Sequence, residues 1–140
     1  MQNIFDNVHI IAIVGLSDNS QKPSFEIAKY LQEKGFRIIP VNPQTKSSEI
    51  LGEKVYRDLL SIPHETVIDV VDIFRKSEFV FPHVKEAVMR GDAKTLWLQE
   101  GISNEEAERY AKEHGLVVFS NFCIMQAHMK RIKDPSSLLM

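Results

Sequence analysis

The stretch that most constrains this chain runs from Val8 to Leu31, where a strand, a polar loop and a helix follow one another directly. His9-Ile10-Ile11-Ala12-Ile13-Val14 is a nearly continuous apolar run, as a strand buried on both faces of a parallel sheet requires. The run stops at Gly15, and Leu16-Ser17-Asp18-Asn19-Ser20-Gln21-Lys22-Pro23 has no periodicity. Ser24 stands where a helix cap belongs, and Ile27, Ala28 and Leu31 then share one helical face. A strand that turns into a helix start leaves backbone N–H groups converging on one spot, which favours an anion. Gly15 lets backbone approach a ligand closely, Ser17 can donate a hydroxyl, and Lys22 adds a positive charge. These residues predict a diphosphate site. The dinucleotide fingerprint asks for three glycines, however, and this loop has Gly15 alone. A lone glycine at a strand end is more often a plain turn, so the rest of the chain has to decide.

Beyond Lys34-Gly35, a helix stop, Phe36 to Val41 reads as a second strand ending in the exposed turn Asn42-Pro43-Gln44-Thr45-Lys46. A dinucleotide site would place an acidic residue there for the ribose 2′-hydroxyl. The sequence instead has Asn42-Pro43 with Lys46 nearby, which disfavours NAD and suits a ligand with a phosphate on its ribose. Tyr56, Leu59 and Leu60 predict one helical turn. Val67 to Phe74 is a third strand, with Asp69 at its edge and Asp72 expected to bond neighbouring backbone. Ser77 to Arg90 is helical, Pro82 lying in a first turn and Gly91 closing it. Thr95 to Gln99 is a fourth strand. Ser103 with Glu106 predicts a capping box opening a helix that ends at His114-Gly115. Leu116 to Phe119 is a fifth strand, and Asn121 to His128 turns into a terminal helix.

Strands alternating with helices define an α/β chain: a Rossmann-like three-layer fold with a parallel sheet of five strands or slightly more. Its ligands belong beyond the carboxyl ends of the strands, where strand order reverses. The loops expected there are 15–24, 40–46, 74–77 and 99–103, and they contribute Lys22, Lys46 and Arg75. That concentration of cations in a chain with a formal net charge of −2 points to a polyphosphate ligand.

At 140 residues the chain is long enough for one core without metal or disulfide support. We expect a single domain over residues 1–132 and a loose tail over 133–140. Weak acidity gives no electrostatic case for nucleic acid. No apolar run approaches membrane-spanning length, and a single cysteine fits a reducing, cytoplasmic setting.

The ordered set Gly15-Leu16-Ser17, Lys22-Pro23-Ser24, Pro40-Val41-Asn42-Pro43, Val71-Asp72-Ile73-Phe74-Arg75, Trp97-Leu98-Gln99-Glu100-Gly101 and Asn121-Phe122-Cys123-Ile124 resembles the small stand-alone CoA-binding proteins. It is also similar to the CoA-binding N-terminal domain of the succinyl-CoA synthetase α subunit. The resemblance implies a Rossmann-like fold that holds coenzyme A by its nucleotide end. Gly15, Leu16 and Ser17, with Lys22, Pro23 and Ser24, would meet the diphosphate. Pro40, Asn42, Pro43 and Lys46 would lie by the ribose and its phosphate, and Ile73, Phe74 and Arg75 would border the adenine. Gln99, Glu100 and Gly101 would line the path of the pantetheine arm. Phe122 departs from the charged residue often found at that place in the family.

No catalytic constellation is evident. Cys123 and His128 lie five residues apart with no orienting third group, and the remaining histidines lack metal-ligand spacing. The expected function is binding of CoA or an acyl-CoA without catalysis, with an acyl-CoA enzyme as a further partner. The rival readings are an NADP-dependent oxidoreductase, with Lys46 on the 2′-phosphate, and a nucleotide-binding regulatory subunit. A docking subunit without ligand would expose an apolar patch around Phe79 and Phe81.

Overall fold

The computed structural model describes residues 3–131, so the predicted tail 133–140 lies outside the described residues. The chain runs β1 (Ile10–Val14), α1 (Pro23–Glu33), β2 (Arg37–Val41), then β3 (Glu49–Ile50) and β4 (Glu53–Lys54), which form a small hairpin. It continues through β5 (Val70–Ile73), α2 (Val80–Arg90), β6 (Thr95–Leu98), α3 (Glu105–Glu113), β7 (Val117–Phe119) and α4 (Ile124–Lys130). Short 3₁₀ turns, Leu59–Ser61 and Ser77–Phe79, precede β5 and α2.

Five strands pair in parallel in the order β2-β1-β5-β6-β7. After β1 the chain steps outward to β2, then crosses back to lay β5 on the other side of β1. The loops leaving β1 and β5 therefore diverge, and a crevice opens between their carboxyl ends. This is the Rossmann-like, three-layer α/β architecture expected from the alternation of elements.

Strand period 2 divides the interior into two cores. Ala12, Val14, Val71, Ile73, Leu96 and Leu98 pack under Val84 and Ala87 of α2 and Ala107 and Ala111 of α3. On the other face Ile11, Ile13, Val70, Trp97 and Phe119 meet Ala28 and Leu31 of α1 and Ile124 and Ala127 of α4. Trp97, expected in the core, is 1 % exposed and stacks on Phe119 with ring centroids 4.2 Å apart. Its indole N–H donates to the Phe122 carbonyl at 2.7 Å, so its one polar atom is satisfied.

Four local expectations change. Ser24 does not cap α1: the helix starts at Pro23 with Lys22 as its cap residue, and no side chain bonds there. Proline suits the first helical position because it has no N–H to lose. The cap is displaced by one residue from Ser103 and its reciprocal acid by two from Glu106, with Asn104 accepting from the Ala107 N–H at 2.9 Å and Glu108 from the Asn104 N–H at 2.8 Å. Tyr56 is extended, bridging to Val41, and the turn begins only at Leu59, after Asp58. Asp72 bonds to no neighbouring backbone. It sits in mid-strand between Ile13 and Trp97, 0 % exposed, and neither carboxyl oxygen has a partner among the described residues.

Candidate functional site

The loop after β1 is shaped by the sheet beneath it. The Gly15 N–H donates to the Val41 carbonyl at 2.7 Å, and Gly15 has φ +89°, a left-handed conformation that glycine adopts without strain. A Cβ there would stand 3.0 Å from Cγ of Arg75 and 3.3 Å from the Phe74 carbonyl carbon. Glycine is thus required twice, by conformation and by the closeness of the β5 loop. Ser24, although not a cap, is buried on the first turn of α1, and its Oγ accepts from the Ser17 N–H at 3.0 Å. That bond folds the loop back onto the helix start.

Asn42 ties the loops after β1 and β2 together. Its amide donates to the Leu16 carbonyl at 2.9 Å, while Oδ1 accepts from the N–H groups of Gln44 and Thr45 at 2.8 and 3.1 Å. Asp18 accepts from the hydroxyls of Thr45 and Ser47 across the same gap.

Two cavities open at the β1–β5 crevice and share Gly15 and Phe74. The first, about 460 Å³, is bounded by Ser17, Lys22, Pro23, Ser24 and Ile27 on one side. Gln99, Glu100, Ile102 and Cys123 bound it on the other. The second, about 310 Å³, is lined by Asn42, Gln44, Arg75, Lys76 and Phe79. Gln99 is 4 % exposed, and its Oε1 accepts from the Ile124 N–H at 2.9 Å, which holds the start of α4 against β6. That bond fixes which way the amide points. Its nitrogen is left as a donor without a partner among the described residues, in a side chain that borders the first cavity.

Arg75 is the best-constrained cation of the site. Its guanidinium lies over the Phe79 ring, 4.7 Å from the centroid, and Nη1 is 3.1 Å from Nε2 of His83. Arginine only donates, so Nε2 accepts and the His83 proton sits on Nδ1. Burial, and then the charge of Arg75, push the His83 pKa down to about 4. The imidazole is therefore neutral at neutral pH. Burial alone drives the Asp72 carboxyl well above the usual carboxylate range.

Gly15, Ser17, Lys22, Pro23, Ser24, Phe74, Gln99 and Glu100 of the predicted site meet around the first cavity, and Asn42 and Arg75 stand at the second. The others stand apart. Leu16 and Ile73 are wholly buried in the two cores, and Pro40 is buried within β2. The Pro43 carbonyl accepts from Arg57, and the Gly101 N–H donates to Asn121 Oδ1 at 2.7 Å. Lys46 is exposed on its loop and lines neither cavity.

Several lining residues are absent from the predicted site: Ile27, Ile102 and Cys123 at the first cavity, and Gln44, Lys76 and Phe79 at the second. Cys123 had a signal. The loop after the fifth strand reaches the same edge of the sheet as the other four, and only those four were counted. His83 had none, since a buried histidine on an amphipathic helix looks like any other. The Phe79–Phe81 patch that a ligand-free docking subunit would expose is divided, Phe79 carrying Arg75 and Phe81 packing against Tyr110. His128 bonds to the Tyr30 hydroxyl at 2.8 Å within an aromatic cluster, rather than to Cys123. Among the described residues no group of three or more His, Cys, Asp or Glu is placed to hold a metal ion, and no helix is long and apolar enough to cross a membrane.

The fold is a Rossmann-like α/β domain with a crevice at the carboxyl ends of its strands, and residues 9–129 match the family described as CoA binding domain. The chain belongs to that family. It is 42 % identical over 118 residues to YneT of Bacillus subtilis (strain 168), covering 84 % of each chain. It is 32 % identical over 120 residues to an ADP-forming acetate–CoA ligase II of Archaeoglobus fulgidus, of whose length it spans 17 %. Among solved structures, a hypothetical protein from Pyrococcus horikoshii OT3 superposes with a TM-score of 0.85 at 38 % identity, over 91 % of this chain and 87 % of that one.

Proposed function

We propose that this protein holds coenzyme A, free or acylated, by its nucleotide and diphosphate end, and performs no chemistry on it alone. The observation that carries the reading is the pair of cavities joined at Gly15 and Phe74. Cations lie on both sides of the glycine, and a wall with apolar side chains, one amide, one carboxylate and one thiol lies beyond. CoA has the matching order: phosphorylated adenosine, diphosphate, then an uncharged arm with amides and a terminal thiol. Ser17, Lys22 and the start of α1 would receive the diphosphate, and Gln99 an amide carbonyl of the arm. An acyl-CoA enzyme as partner fits the acetate–CoA ligase relative, of which this chain matches only a part.

Calorimetry at physiological salt should show CoA binding more tightly than NAD, because no acidic residue ends β2 to take a ribose hydroxyl, and more tightly than NADP, because the loop after β1 lacks the three-glycine dinucleotide fingerprint. Equal or tighter binding of NADP would instead favour the oxidoreductase reading. A second result concerns Cys123, which lines the first cavity. Its alkylation by a maleimide should slow several-fold with saturating acetyl-CoA, whose blocked thiol cannot consume the reagent, and stay unchanged with free adenosine. Unaltered labelling under saturating acetyl-CoA would place the arm elsewhere.

A further inference from the structure

Resting on the CoA reading, the geometry points to a second, separate phosphate subsite. We infer that Arg75 with Lys76 receives the phosphate monoester on the ribose of the ligand, and that His83 is the positioning residue that presents Arg75 to it. The first support is the division of charge. Lys22 and the start of α1 serve one cavity, whereas Arg75 and Lys76 line the other, across Gly15 and Phe74. A ligand with a diphosphate and a further phosphate on its ribose offers one anionic group to each set of cations. Lys46, which the sequence places by that phosphate, is exposed and lines neither cavity.

The second support is the way Arg75 is held. A free arginine samples many rotamers and loses them on binding. Here Cγ packs against Gly15, 3.0 Å from where a Cβ would stand, the guanidinium lies on Phe79, and Nη1 donates to Nε2 of a histidine that is 7 % exposed. These contacts fix the plane of the fork and leave its other N–H groups for an anion. His83 is suited to the task because its accepting nitrogen carries no charge, so it orients the guanidinium without neutralising it. A carboxylate at that position would cancel the charge the phosphate needs. Its Nδ1 lies 3.7 Å from Glu86 Oε1, beyond hydrogen-bond reach, so Arg75 is the one polar partner of the ring among the described residues.

The test is the ratio of CoA to dephospho-CoA affinity, measured by calorimetry on the full chain. The wild type should prefer CoA by about tenfold or more, the effect of one charge-assisted hydrogen bond. Arg75→Ala should bring the ratio close to one, and His83→Leu should lower it several-fold. His83→Gln, whose amide oxygen can accept from Arg75, should restore most of it. A merely structural histidine would move both affinities together and leave the ratio where it was. A ratio that falls equally in the leucine and glutamine variants would also overturn the positioning role. If Lys46→Ala removes the preference and Arg75→Ala does not, the phosphate lies with Lys46. A wild type that binds both ligands equally would remove the second subsite and leave the CoA reading intact. Binding of neither would end the CoA reading itself.

Discussion

Arg90→Ala should destabilise the protein by about 3–5 kcal/mol, the loss expected when one partner of a buried ion pair is removed. The guanidinium closes α2 with only 1 % of its side chain exposed. It donates to the carbonyls of Leu59, Ile62 and Thr66 at 3.0, 2.6 and 2.9 Å, and to both oxygens of Asp92 at 2.8 and 3.2 Å. Truncation would leave these acceptors without their donor, and each unsatisfied buried group costs about 1–3 kcal/mol. Because the groups act as a unit, the single losses do not add. The midpoint of urea unfolding reads the effect directly. A loss below about 1 kcal/mol would mean that water replaces the guanidinium.

An acid-side signature accompanies this. Burial alone would raise the Asp92 carboxyl, but the bonds from Arg90 and the Ile68 N–H hold it below the usual carboxylate range. A depressed folded pKa gives stability that is present above the unfolded value and lost as pH falls through the folded one. Much of that loss should disappear in Arg90→Ala.

The second large effect belongs to Asp72 and has the opposite sign. Its folded pKa is raised far above the model-peptide value, so its contribution is complete below about pH 4 and is lost as pH rises toward the folded pKa. Across that interval the unfolded chain releases the proton and the native chain keeps it. The wild type should therefore lose stability relative to Asp72→Asn by up to about 1.4 kcal/mol per pH unit above pH 4. Asparagine is nearly isosteric and has no proton to release in this range, so the difference between the two pH profiles isolates the carboxyl. Parallel profiles from pH 4 to 7 would show that Asp72 ionises in place, with water or a partner the static structure does not hold.

The amino-acid order alone carried the architecture. The apolar run before Gly15, the polar loop and the helix from Ser24 to Leu31 are local patterns, and the backbone follows local patterns closely. The same holds for the helices flanked by Gly35, Gly91 and Gly115, and it extends to the rule that puts the ligand at the carboxyl ends of parallel strands. Even the misplaced cap of α3 was an error of one residue, because serine and asparagine offer nearly the same chemistry.

Other matters depend on which side chains meet across loops that are distant in sequence, and no local period records that. Ser24 looked like a cap and proved to be a clasp on Ser17, because Pro23 already opened the helix. Asp72 looked like a backbone partner, but strand pairing had already occupied the backbone on both sides of it. Lys46 and Arg75 were equal as cations in the sequence. The crossing from β2 back to β5 brought Arg75 over Gly15, and the packing of α2 put His83 beside it. Sequence thus determined the elements and the edge of the sheet where a ligand belongs, since those follow from periodicity and handedness. Tertiary structure alone decided which charges face the crevice, because that depends on register and loop closure among residues as distant in sequence as Lys22 and Glu100, which line the same cavity.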